Sequence, residues 1–286
     1  LASLQFEIEH ETAVPAPALA PLIRRYIGYR YAGLRPGTHL GLPSPDLTVV
    51  LSLGPRTRLA SMPDPRQRPR AFDALVGGLH TRPAVLAFDG EMFGIELDIT
   101  PRGARSLLGL PAGELGSIVV SLEEIVGRPA RSMLEALVEA GTWPERFSLL
   151  DRFLSHRLDR LRPARPELEA AWRLLVGSGG TRRVSWIARE VGWGRRHLHE
   201  SFIAEFGLSP KELARVTRFH WSKEMLRRDP GSSLAGVAAA CGYYDQSHLT
   251  RDWNRLAGGT PSRWLRTDEL SFVQDETDAA VPGLSA

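Results

Sequence analysis

Two stretches in the last third of the chain repeat one pattern of apolar and polar positions. Val184, Ile187, Ala188 and Val191 fall at i, i+3, i+4 and i+7. Leu234, Val237, Ala238 and Cys241 repeat that spacing further along. Such spacing puts four apolar residues on one helix face. Each predicted helix runs into a glycine, Gly192 or Gly242, suited to a left-handed C-terminal cap. A second amphipathic helix follows in each copy, anchored by Leu198 and Phe202 in the first and by Leu249 and Trp253 in the second. Gly207 with Pro210, and Gly258 with Pro261, close the two units. Helix, tight turn, helix is the geometry that sets its second helix in a DNA major groove.

In the N-terminal half the period is two. Leu4, Phe6 and Ile8 alternate with Gln5, Glu7 and Glu9, which predicts a half-buried strand over 3–9. Residues 17–27 read as a short helix or the entry to a strand. Residues 37–45 read as a loop, Leu47–Leu53 as a strand, and the proline- and arginine-rich 61–70 as an exposed loop. Residues 84–99 predict two strands joined as a hairpin at Asp89-Gly90, with Phe93, Ile95, Leu97 and Ile99 on one face. A helix is expected over 101–108, behind the Thr100-Pro101 start signal. Ser121 and Glu124 form a capping box. Residues 129–140 and 144–160 have helical periodicity, the latter with a stripe through Phe147, Leu150, Phe153, Leu154, Leu158 and Leu161.

Pro163 and Pro166 forbid a continuous helix between the halves. The expected fold is therefore α+β. A sensing or dimerisation domain over 1–160 has an antiparallel β barrel or sandwich (about 1–100) followed by helices (about 101–160). After a linker at 161–166 comes an all-α domain over 167–267. Within it, helices are expected over 167–176 and 209–228, the latter with Leu213, Val216, Trp221 and Leu226 as core candidates. An acidic, flexible tail is expected over 268–286.

Charge sharpens this division. Net charge is +3, yet residues 162–267 carry 18 Lys+Arg against 10 Asp+Glu, and residues 268–286 carry five acids and no base. The positive charge thus accompanies the repeat, as a phosphate-binding footprint requires. No apolar run of membrane-spanning length is present. The acidic start (Glu7, Glu9, Glu11) lacks the pattern of a secretory leader. The single cysteine, Cys241, excludes an intramolecular disulfide and a multi-cysteine metal site, and falls on a buried stripe, so a core role in a reducing cytoplasm is expected. His10, His39 and His80 are isolated, so neither metal nor cofactor is implied.

Residues 167–267 resemble the DNA-binding domain of the AraC/XylS family of bacterial transcription regulators. The likeness rests on Ile187-Ala188, Leu198 with Phe202, Gly207-Leu-Ser-Pro210, Arg218, the run Gly242-Tyr-Tyr-Asp-Gln-Ser-His-Leu-Thr-Arg251, Trp253 where the family usually has Phe, and Gly259-Thr-Pro-Ser262. Residues 43–54 and 88–128 more weakly resemble the cupin-like sensing domain of some members. The resemblance implies a sequence-specific regulator binding double-stranded DNA through two helix-turn-helix units in successive major grooves. It names a small-molecule effector, RNA polymerase and a second copy of the chain as further candidate partners.

With the anchors buried, Arg195, Arg196, His199 and Glu200 face outward in the first unit, and Gln246, Ser247, Thr250 and Arg251 in the second. These are the candidate base contacts: arginine pairs bidentately with guanine, glutamine with adenine, and glutamate accepts from cytosine. The alternative is an ordinary solvated helix face. Gly194 replaces the family's serine cap and Glu200 a more often basic residue, which sets the first unit apart. Arg182, Arg183, Lys211 and Arg263 are candidate phosphate contacts. Tyr29, Tyr31, His39, His80 and Phe88 either line an effector pocket or belong to ordinary core. Two rival functions remain: an interaction protein with a degenerate DNA-binding domain, and an enzyme, a DNA-repair methyltransferase, whose chemistry needs more cysteines than this chain has.

Overall fold

The computed structural model describes residues 7–158 and 164–267. Residues 3–6, Leu161 and the acidic stretch 268–286 lie outside the described residues. Among the described residues, ten strands build two antiparallel sheets: β1 (Glu7–Ala13), β2 (Ile23–Ala32), β3 (Gly37–Gly41), β4 (Leu47–Ser52), β5 (Thr57–Ser61), β6 (Arg70–Phe72), β7 (Ala74–Gly77), β8 (Ala84–Phe88), β9 (Glu91–Ile99) and β10 (Val119–Ser121). One sheet has the order β1-β2-β9-β4-β7-β10, the other β3-β8-β5-β6.

The larger sheet is covered on both faces. Toward the smaller sheet, Tyr29, Tyr31, Val50 and Leu75 pack on Leu59, Phe72 and Ala84. On the other face, Tyr26, Val49, Leu51, Ile95, Leu97 and Ile99 pack on helices. Double coverage explains why β4 reads as an almost unbroken apolar run. The helices are α1 (Pro101–Gly103), which runs on through a π-helical turn at Ala104–Leu108, then α2 (Leu122–Val126), α3 (Arg128–Glu139) and α4 (Trp143–Ser155). Ser121 and Thr142 each close a capping box. Gly28 lets the Trp143 ring lie on the sheet, since a Cβ there would sit 2.4 Å from the indole. The indole N–H donates to Glu9 at 3.0 Å.

Several sequence expectations are revised. Asp89-Gly90 makes a turn, with φ +103 at Gly90, but not a hairpin. β8 pairs with β3 and β5, whereas β9 pairs with β2 and β4, so the turn carries the chain from one sheet to the other. Gly37–Gly41, expected as loop, is strand β3. Its pairing with β8 offsets poor local propensity, and Gly37 leaves room for the Phe88 ring. The part of the first expected strand that lies in the described residues is β1, which continues to Ala13 at the sheet edge, with Ile8 exposed. Residues 17–22 form turns, and the strand begins at Ile23. Within 61–70, Met62 and Pro63 are buried, and Gln67 exchanges hydrogen bonds with the Val119 backbone. Helix α4 ends at Ser155, short of Leu158.

The C-terminal domain has α5 (Pro166–Gly177), α6 (Val184–Glu190), α7 (Arg195–Phe206), α8 (Pro210–Arg228), α9 (Leu234–Ala240), α10 (Gln246–Ala257) and α11 (Pro261–Thr267). Helix α8 runs between the two units. Its core residues are Leu213, Val216, Phe219 and Leu226, while Trp221, expected in the core, is 44% exposed. Trp172 packs on Phe202 and Phe206 in the first unit, and Trp253 on Phe219 and Trp264 in the second. The two domains meet at α7. A Cβ on Gly113 would lie 2.3 Å from the Ala204 carbonyl oxygen, so the 3₁₀ turn Ala112–Leu115 sits directly on the helix backbone.

Candidate nucleic-acid interface

In both units the anchors are buried completely. Leu198, Phe202, Leu249 and Trp253 each have 0% exposure. A helix held along one side by such anchors presents the opposite side to solvent. Arg195, Arg196, His199 and Glu200 are exposed on α7. Gln246, Ser247 and Arg251 are exposed on α10, with Thr250 half-buried. The eight residues form the outward faces of two separate helices.

The helix starts differ chemically. Asp245 caps α10, accepting from the His248 N–H at 2.6 Å. Gly194 is extended (φ −69°, ψ 148°) at the start of α7 and supplies no side-chain cap. In the first unit, Arg196 Nε donates to Glu200 at 2.8 Å, one helical turn apart. That pair shares its charges within the outward face of α7. No such pairing within α10 involves Arg251.

The candidate phosphate contacts lie on segments that flank these helices along the chain. Arg182 lies over the Trp186 ring at 5.0 Å. Arg183 immediately precedes α6, Lys211 lies in the first turn of α8 and Arg263 in α11; all four side chains are exposed. Sequence reasoning missed Tyr244, which is 92% exposed in the turn before α10. A signal was available: three residues separate Gly242 from Gln246, but two separate Gly192 from Arg195. The extra residue projects.

The proposed effector residues are dispersed in role. Tyr29 and Tyr31 stack at 5.6 Å, both buried, with Phe88 packed on their cluster. Burial and the neighbouring Glu96 raise the Tyr29 phenol above its usual pKa. His39 is half-buried on β3. His80 lies after β7, its Nδ1 2.5 Å from the Arg82 carbonyl oxygen, and burial lowers its pKa to about 4. Cys241 is buried with Sγ 3.6 Å from Met225 Sδ, and burial pushes the thiol up to about 11, which keeps it protonated.

Two antiparallel sheets are thus followed by a helical region in which α6 with α7, and α9 with α10, are each joined by a tight turn at a glycine of positive φ. Residues 187–267 match the family model described as "Helix-turn-helix domain", and residues 11–121 match a "Domain of unknown function (DUF6597)". That helix-turn-helix match contains most of the residues on which the likeness to AraC/XylS regulators rests, from Ile187-Ala188 to Ser262. Over 81 residues it is 30% identical to the HTH-type transcriptional regulator ExsA of Pseudomonas aeruginosa and to the virulence regulon transcriptional activator VirF of Yersinia enterocolitica. Those matches cover 28% of this chain and 29% and 30% of the two relatives. The fold as a whole is similar to that of ToxT from Vibrio cholerae: TM-score 0.51 at 16% identity, covering 84% of this chain and 97% of ToxT. A ToxT structure with bound unsaturated fatty acid aligns with TM-score 0.51 at 17% identity, over 84% of this chain and 94% of that one.

Proposed function

We propose that this protein is a transcription regulator that binds DNA sequence-specifically, with α7 and α10 in successive major grooves about 34 Å apart. The observation that carries this reading is the pair of solvent-facing helices, each rich in base-reading side chains above fully buried anchors. The second unit is the stronger reader, since its helix is capped and Arg251 has no acidic partner on its own helix. Tyr244 adds a phosphate or sugar contact beside it. In the first unit the Arg196–Glu200 pair favours backbone contact over base readout. Arg182, Arg183, Lys211 and Arg263 hold phosphates.

The test is selection of bound duplexes from a random pool, followed by Arg251→Ala. The variant is expected to lose about 1–3 kcal/mol of discrimination at one base pair, with non-specific affinity nearly unchanged. Absence of any enriched motif at moderate salt would favour the interaction-protein reading, because non-specific binding alone fades as salt rises. The methyltransferase reading has no support in a chain whose only cysteine is buried and protonated.

A small-molecule effector belongs to the same proposal, supported by the likeness of the fold to a ToxT structure with bound unsaturated fatty acid. Thermal-shift screening of the full chain with free fatty acids checks it: a midpoint unmoved by any of them would remove that effector from the reading.

A further inference from the structure

The two units are joined by more than the covalent run of α8. Arg218, in the middle of that helix, donates from NH1 to the Gly180 carbonyl oxygen at 2.8 Å, in the segment leading into the first unit. Its guanidinium lies 5.5 Å from the ring centre of Tyr243, in the turn of the second unit. NH2 lies 3.9 Å from Oδ2 of Asp252, on the buried side of α10. Arg215, one turn earlier on α8, holds the other oxygen of Asp252 at 3.4 Å. The side chains of Arg218 and Asp252 are only 18% and 10% exposed.

The backbones close the same junction. Gly180 (φ +73) leaves no room for a side chain: a Cβ would lie 2.2 Å from the Ala214 carbonyl oxygen. A Cβ on Gly242 (φ +70) would lie 2.4 Å from Cγ2 of Thr181. The entry to the first unit therefore touches the turn of the second, with one arginine beneath both.

We infer that Arg218 and Asp252 are positioning residues that set the separation and rotation between the two reading helices, and so the spacing of half-sites the protein accepts. The inference rests on the proposed reading of DNA by α7 and α10. Neither residue faces the groove. Arg218 is suited to this task because its planar fork can reach a carbonyl and a carboxylate while stacking on an aromatic ring, which a lysine ammonium cannot do. The required precision is fine. A rotation of about 10° over a lever of about 20 Å moves a helix by roughly one base-pair rise. Such a slip takes every base contact of that unit out of register, and each lost contact costs about tenfold or more in affinity.

The experiment uses the full chain and duplexes carrying the selected half-sites at every separation within three base pairs of the selected one. Wild type is expected to prefer one separation by about tenfold or more over its neighbours. Arg218→Ala and the near-isosteric Asp252→Asn are expected to flatten that preference to about threefold or less, while base preference inside the second half-site is kept. Arg218→Lys is expected to recover only part of it. If either variant, folded by circular dichroism, keeps the wild-type preference, the assignment fails. A uniform loss of affinity at every separation would also overturn it, since that is what lower stability alone produces. Failure of wild type to select any site would instead overturn the reading of DNA on which the inference stands.

Discussion

Arg105 grips the carboxylate of Glu205 through two hydrogen bonds, Nε to Oε1 at 2.9 Å and NH2 to Oε2 at 2.6 Å, across a gap of one hundred residues in the chain. Arg105 follows the sheets and Glu205 lies on α7, so the N-terminal half holds that helix directly. Both side chains are largely buried. Removing one partner strands the other charge, so Arg105→Ala is expected to lower stability by about 2–4 kcal/mol, with Arg105→Lys costing less. Denaturant unfolding checks this, and a change within about 0.5 kcal/mol, the size of a surface substitution, would show that the contact contributes nothing.

Gly194 is extended at the start of α7 and nothing lies within 4 Å of an added Cβ. Gly194→Ser gains a capping oxygen and loses unfolded-chain freedom. It is expected to stabilise the first unit by about 0.5–1 kcal/mol. Thermal unfolding should show a higher midpoint; a lower one would mean that the serine cannot reach the free N–H groups of the helix.

Trp253 is the second buried anchor of α10, and its indole N–H donates to Ser222 Oγ at 2.9 Å inside the core. Ser222→Ala leaves that N–H buried and unpaired, at an expected cost of about 1–3 kcal/mol. Trp253→Phe removes the donor, so the serine substitution should cost less in that background. Additive effects in the double-mutant cycle would show that the hydrogen bond is energetically idle.

His220 lies on α8 among Lys223, Glu224, Asp98 and Arg25, and burial followed by the Lys223 charge lowers its pKa to about 4. The unfolded chain takes up this proton near pH 6.5. Between about 6.5 and 4 the unfolded state therefore binds more protons than the folded state, and stability falls as pH falls. His80 adds to the same slope. Urea midpoints measured across that range should decline less steeply in His220→Gln. An unchanged slope would place the titration elsewhere.

The helical half was legible in the sequence because helices are specified locally. Caps, glycine stops and i, i+3, i+4 spacing act within a few residues, so α6, α7, α9 and α10 and their four anchors could be placed from order alone. The same anchors settled which side chains face outward, including Arg251. The mismatch at Gly194 and Glu200 was visible too, and the structure added that Glu200 is held by Arg196.

Pairing between distant segments was not legible. Asp89-Gly90 has the chemistry of a turn, but a turn does not choose its strands' partners, and β8 and β9 separated into different sheets. Gly37–Gly41 became a strand only because β8 lay alongside it. That Tyr29 and Tyr31 pack against a second sheet, on Leu59, Phe72 and Ala84, was not readable from their positions in the chain. Arg105 with Glu205, Ser222 with Trp253, and Arg218 with Gly180 and Asp252 join residues far apart along the chain. Periodicity carries information over a turn or two of helix, whereas these contacts arise when whole elements pack, so only the tertiary structure could decide them.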